Sequence, residues 1–159
     1  MKEEELRLIL EEGEGLKIDF KESFDSKGLG KDLVAFTNAV GGRIFLGIDD
    51  HMNVKGIEIT NKLKSEIQDL ARNCEPPIKI NLLKVVFNQK SILTIEVAEG
   101  DNKPYLCSSG FYLRQGANSQ KLSRDEILHL IVGLGKIRFD EQYSPAFVFP
   151  KDFDSSKFN

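Results

Sequence analysis

KDLVAFTNAVGGRIFLGIDD, residues Lys31 to Asp50, decides the fold class of this chain. Leu29, Leu33, Phe36 and Val40 recur at helical spacing up to a glycine pair. Gly41-Gly42 then supplies the positive φ that suits a helix C-terminus. From Arg43 to Ile48 the run is almost continuously apolar, the pattern of a strand covered on both faces. Asp49 and Asp50 emerge at its C-terminal end, where loops commonly build sites. The same two aspartates would also serve simply to open a turn through Asp50-His51-Met52-Asn53.

Outward from this segment the pattern stays mixed, with no internal repeat and no low-complexity tract. Glu3 to Leu10 reads as a short acidic helix with Leu6, Leu8 and Ile9 to bury. Lys17 to Glu22 sets Ile18 and Phe20 against Asp19 and Lys21, a half-buried strand. Asp25 to Gly30 reads as a loop. Thr60 or Asn61 caps a second helix with the face Leu63, Ile67, Leu70 and Ala71, ended by Pro76-Pro77. Two long strands, Ile78 to Phe87 and Ser91 to Ala98, flank a hairpin at Asn88-Gln89-Lys90. A third, Phe111 to Arg114, follows the Gly110 turn. Ser123-Arg124-Asp125-Glu126 fits a capping box that opens a helix along Ile127, Leu130, Ile131 and Leu134. The predicted class is α/β (α+β), a mixed sheet with packed helices.

At 159 residues, 40% hydrophobic and 30% charged, the chain can bury one sizeable core, and one domain is the default. Cys74 and Cys107 stand apart with no CxxC, and His51 and His129 do not cluster with them, so neither a disulfide framework nor a zinc site is indicated. No secretory signal pattern and no window approaching 18 apolar residues is present, which makes a cytoplasmic protein without membrane partners the expectation. Net charge is −3, unevenly placed. Residues 1–25 carry nine acids against four bases, whereas residues 78–124 carry seven bases against three acids. A basic face of that kind suits a polyanion, because nucleic-acid affinity comes largely from neutralised phosphates. A merely solvated face fits the same count.

Side chains at i and i+2 share one face of a strand, so Asp19 and Lys21 project together. If that strand lies beside Arg43 to Ile48, Asp50 could reach the same place, with Glu14 just outside the strand. Three converging carboxylates would bind a hard divalent cation through oxygen and position a phosphate for hydrolysis. A salt-bridged strand edge accounts for the same residues. The D-x-K spacing is not specific: it recurs at Asp101-Asn102-Lys103, inside a turn.

Several separated strings resemble the Schlafen-type AlbA-like domain over about residues 11–135. They are Glu14 with Asp19-Phe20-Lys21-Glu22-Ser23, then Ala35-Phe36-Thr37-Asn38-Ala39-Val40-Gly41-Gly42, then Ile44-Phe45-Leu46-Gly47-Ile48-Asp49-Asp50 and Val54-Lys55-Gly56. Lys103-Pro104-Tyr105 and Gly110 to Ser119 continue the pattern. The resemblance implies one of two settings. In prokaryotic transcriptional regulators such a domain stands before an ATP-binding module and a winged helix, and is assigned nucleic-acid binding. In the Schlafen endoribonucleases of transfer and ribosomal RNA, catalytic acids fall on positions matching Glu14, Asp19 and Asp50. Asp19 stands where that family usually has Glu, and the His/Cys zinc cluster of animal Schlafens is absent.

The expected organisation is an AlbA-like domain over residues 1–135 and an irregular segment, 136–159, leading to further C-terminal domains. The first reading is a nucleic-acid-binding domain, for DNA or RNA, of a transcriptional regulator, with Lys103, Arg114, Lys121 and Arg124 on phosphates. The second is an endoribonuclease using Mg²⁺ or Mn²⁺ on Glu14, Asp19 and Asp50, assisted by Lys21. The third is a protein-interaction or homodimerisation module with an apolar patch from Phe147, Phe149 and Phe153.

Overall fold

The computed structural model describes residues 1–133. The irregular segment 136–159, the Phe147, Phe149 and Phe153 patch and Leu134 lie outside the described residues. Residues 1–127 form one compact unit, and of the second, which begins at Leu128, only the end of a helix is described. The elements run α1 (Glu3–Glu12), β1 (Ile18–Lys21), α2 (Ser26–Asn38), β2 (Gly42–Leu46), α3 (Asn61–Arg72), β3 (Ile80–Phe87), β4 (Lys90–Val97), β5 (Tyr112–Gln115), β6 (Asn118–Lys121) and α4 (Arg124–Gly133).

Helix α2 begins earlier than its apolar spacing predicts. The Asp25 carboxylate accepts from the Gly28 amide at 3.0 Å and caps the helix. Residues 25–30 are therefore a cap and a first turn, not a loop. Gly28 and Gly30 disguise this, because glycine in a helix interior ordinarily weakens it. At the other end Gly41 takes φ +78° and its amide donates to Phe36 O at 2.8 Å, so the glycine stop works as expected. A side chain there would also meet the Val97 carbonyl at 2.7 Å.

β1 and β2 are parallel, joined by α2, with Asp19 opposite Ile44 and Lys21 opposite Leu46. β2 pairs antiparallel with β4 and β4 with β3, giving the order β1-β2-β4-β3. Asn88 and Gln89, both at positive φ, close the β3–β4 hairpin at its expected place. β2 ends at Leu46 rather than Ile48, because Gly47 leaves the strand at φ +113°.

Both faces of this sheet are covered, as the apolar run in β2 requires. Ile44, Leu46, Leu93 and Ile95 pack under α2 and α3 with Leu33, Phe36 and Ile67. Phe20, Phe45, Val85, Phe87 and Ile92 pack under α1 around Leu6. Each such fully buried side chain contributes about 1.5–3 kcal/mol relative to exposure. Leu8, expected inside, is 61% exposed because α1 turns only one narrow stripe inward. Val40 is also exposed, lying past the end of α2.

β5 and β6 form a separate hairpin sheet. β6 has no counterpart in the sequence reading, since Asn118-Ser119-Gln120-Lys121 has no apolar alternation. Asn38 ties this region to α2: its amide donates to Tyr105 O and Tyr112 O, and its carbonyl accepts from Tyr105 N at 2.7 Å. Thr60 caps α3, and Ser123 and Glu126 close the capping box of α4 reciprocally.

Candidate functional site

β1 is an edge strand, and its face toward α2 carries Asp19 and Lys21. The Lys21 ammonium stands 2.6 Å from Asp32 Oδ2 and 3.3 Å from Asp19 Oδ2. Asp32, on α2, accepts through Oδ1 from the Ser119 hydroxyl at 2.5 Å. Arg114 on β5 donates to that hydroxyl at 3.1 Å and lies 3.6 Å from Asp19 Oδ1. The five side chains thus close a ring, Asp19–Lys21–Asp32–Ser119–Arg114. Arg114 also donates to the Gly15 and Ile18 carbonyls and lies 4.6 Å over the Phe36 ring. Glu14 accepts from the Phe20 amide at 3.1 Å. Glu14 thus meets the Phe20 amide and Arg114 the Ile18 carbonyl, two groups that an edge strand otherwise leaves open.

The ring carries uneven charge. Burial, the largest influence, pushes the Asp19 carboxyl above its ordinary value of 3.8; Lys21 and Arg114 oppose this, and the hydrogen bond that protonated Asp19 donates to the neighbouring Glu14 carboxylate adds to it. Asp19 Oδ2 is buried without an aligned hydrogen-bond donor. Burial alone would lower the Lys21 ammonium, but the hydrogen bond and charge of Asp32, with the charge of Asp19, outweigh it and hold the ammonium above its ordinary 10.5.

Glu14, Asp19 and Lys21 therefore come together as expected, and Asp50 does not join them as a ligand. Asp50 is exposed in the turn after β2. Its neighbour Asp49 accepts from the amides of His51 and Asn53, both at 2.9 Å, so this pair opens a turn. Those amide bonds, Asn53 first, hold the Asp49 carboxyl below its ordinary value. Among the described residues no three His, Cys, Asp or Glu side chains are placed to hold a metal ion. Between Asp19 and Asp32 the cation is Lys21 itself. The three-carboxylate set for Mg²⁺ or Mn²⁺ does not fit this geometry.

The expected phosphate contacts divide. Arg114 is buried and spent on the ring, and Lys103 donates to Ala39 O and pairs with Glu99, both at 2.9 Å. Only Lys121 and Arg124 of the four are exposed. Arg114 is a buried hub and not a surface contact: it stands two residues from Tyr112, on the same inward face of β5. A different cationic surface lies elsewhere. Arg7, Lys55 and Lys90 line an open groove of about 520 Å³ between α1, the turn after β2 and the β3–β4 hairpin, with Glu11 as its lining acid and Met52 and Phe87 among its apolar lining. Arg7 sits 5.1 Å over the Phe87 ring. Arg7 was hidden in the charge count because it lies in the acidic N-terminal stretch.

The family model Schlafen, AlbA_2 matches residues 14–123, and the chain belongs to that family. No curated protein matches it. Among solved structures it resembles the DIP2311 protein of Corynebacterium diphtheriae, at 17% identity and a TM-score of 0.54, over 73% of this chain and 24% of that one. It also resembles the N-terminal domain of a RecG-related protein from Nitrosomonas europaea, at 23% identity and a TM-score of 0.50, over 77% and 87% of the two chains. The chain thus spans about a quarter of the Corynebacterium protein's length. These likenesses carry the fold. Among the described residues no helix is long and apolar enough to cross a membrane.

Proposed function

We propose that this domain binds nucleic acid through the Arg7–Lys55–Lys90 groove, as one module of a regulatory protein. The observation that carries the reading is that groove, a concave surface lined by three cations and one carboxylate, with Glu3 3.5 Å from Arg7 at its margin. Lys55 and Lys90 also hold it together, Lys55 3.8 Å from Asp49 and Lys90 donating to Val54 O at 3.2 Å. Neutralising phosphates releases counterions, so such binding weakens with salt. The family, whose resemblance implies nucleic-acid association, supports the same direction, and in both solved relatives the matching region is part of a larger protein. A transcriptional role for the whole protein belongs to this proposal. The endoribonuclease reading has the Glu14–Asp19 pair in its favour and the Lys21 ammonium beside Asp19 against it.

Titration of labelled single-stranded RNA and duplex DNA across a salt series tests this. Arg7→Ala and Lys90→Ala should each lower the slope of log K by about 0.7 on a single strand or about 0.9 on a duplex. The Lys121→Ala, Arg124→Ala double variant measures whether those two exposed cations contribute as well. A salt-independent affinity, or groove variants that bind as the parent does, would remove the groove from the account.

A further inference from the structure

Glu75 and Leu106 exchange both backbone hydrogen bonds, each 2.9 Å, as an isolated antiparallel bridge. One step along such a ladder the facing residues form a non-hydrogen-bonded pair, with Cα atoms about 4.5 Å apart and side chains on one face. Carried one step on, that register would face Cys107 with Cys74, two residues past the end of α3. Both line one cavity of about 360 Å³, beside Lys27 and Ser108. Disulfides span Cα separations of roughly 4.4–6.8 Å, so a register continued by one step would bring these thiols into bonding range. Both are free, and no metal-binding cluster among the described residues claims them.

We infer that Cys74 and Cys107 are a reversible redox pair that closes to an intrachain disulfide when a low-molecular-weight disulfide such as oxidised glutathione is present. Cys107 is half-buried and Cys74 buried, so Cys107 reacts first. Its thiolate displaces one glutathione thiolate and becomes a mixed disulfide. The Cys74 thiolate then attacks the Cys107 sulfur and displaces the second glutathione. Two protein thiols lose two protons and two electrons, and one oxidised glutathione becomes two reduced molecules. Each thiol must first leave a weak contact, Cys74 Sγ with Leu70 O at 3.3 Å and Cys107 Sγ with Gly110 O at 3.7 Å. Burial, with the neighbouring Cys107 adding to it, pushes the Cys74 thiol up to about 11. The second step therefore quickens roughly tenfold per pH unit through the neutral range, as the thiolate fraction rises.

Native protein incubated with oxidised glutathione and read by intact mass and non-reducing electrophoresis tests this. The expected product is a monomer lighter by two hydrogens, with both thiols lost together and restored by dithiothreitol. Cys74→Ser should stop at one glutathione adduct on Cys107. A native chain that also stops at the adduct, that links chain to chain, or that keeps both thiols overturns the inference. The wild-type measurement decides alone if Cys74→Ser does not fold.

Discussion

Two acidic regions of this molecule look alike in the sequence and differ in physical character. Asp19 sits inside a ring with Lys21, Asp32, Ser119 and Arg114, and burial drives its carboxyl upward. Asp49 sits in the turn after β2, and backbone amides draw its carboxyl downward. Asp19 faces two cations and no aligned N–H donor, whereas Asp49, with one lysine at 3.8 Å, is satisfied chiefly by two correctly placed backbone N–H groups. Proximity to the end of a strand therefore does not make a site. Burial and the sign of the neighbours decide what a carboxylate does.

The contrast breaks most visibly at Arg114. Arg114→Ala would strip Asp19 of a buried partner and leave the Gly15 and Ile18 carbonyls without their donor, at a cost of about 3–5 kcal/mol. Urea unfolding should show it, and a loss below about 1 kcal/mol would place the ring among surface ion pairs. Next in size is Asp32→Asn, which removes the charge that pairs with Lys21 and leaves one amide oxygen where two carboxylate oxygens served Lys21 and Ser119. A loss of about 1–3 kcal/mol is expected. Asp49→Ala should lower the unfolding midpoint by visibly less than either, because water replaces the carboxylate at His51 and Asn53.

The smallest effect is one of slope. A carboxyl raised in the fold keeps its proton longer than in the unfolded chain, so Asp19 makes stability fall as pH rises from 3.8 through its native value. A lowered carboxyl does the opposite, and Asp49 makes stability rise as pH climbs through its native value toward 3.8. Urea midpoints measured from about pH 3 to 7 should therefore lose a falling component in Asp19→Asn and a rising one in Asp49→Asn. Equal and same-signed changes would erase the distinction.

Which parts could be read ahead of the coordinates follows from the same physics. The β1–α2–β2 unit was legible because both its periods are carried by apolar residues, and the Asp19–Lys21 pairing followed from strand alternation. Asp25 as a cap was masked by two glycines behind it. β6 was invisible because its role is hydrogen bonding, which leaves no hydrophobic signature. Asp32 could have been found: it lies between Leu29 and Phe36 beside Leu33, so a charge stands on the buried face of α2. Arg114 likewise shares a strand face with Tyr112. Asp50, expected as a third acid, stands exposed in the turn that Asp49 caps.

The ring closes over a long stretch of chain, Arg114 reaching carbonyls 99 and 96 residues earlier. At translation rates of about 5–20 residues per second, Gly15 precedes Arg114 by roughly 5–20 s. From Leu46, where the β1–α2–β2 crossover is complete in sequence, to Arg114 is about 3–14 s at those rates; throughout it the outer edge of β1 has no guanidinium to hold it, and until Val97 is made β2 has no β4 beside it. Ribosome-stalled chains ending before Arg114 should be cut readily in β1 by added protease, and chains ending past Lys121 should resist. The residue that finishes the edge is thus also a clock, setting how long each new copy presents an open strand to its surroundings.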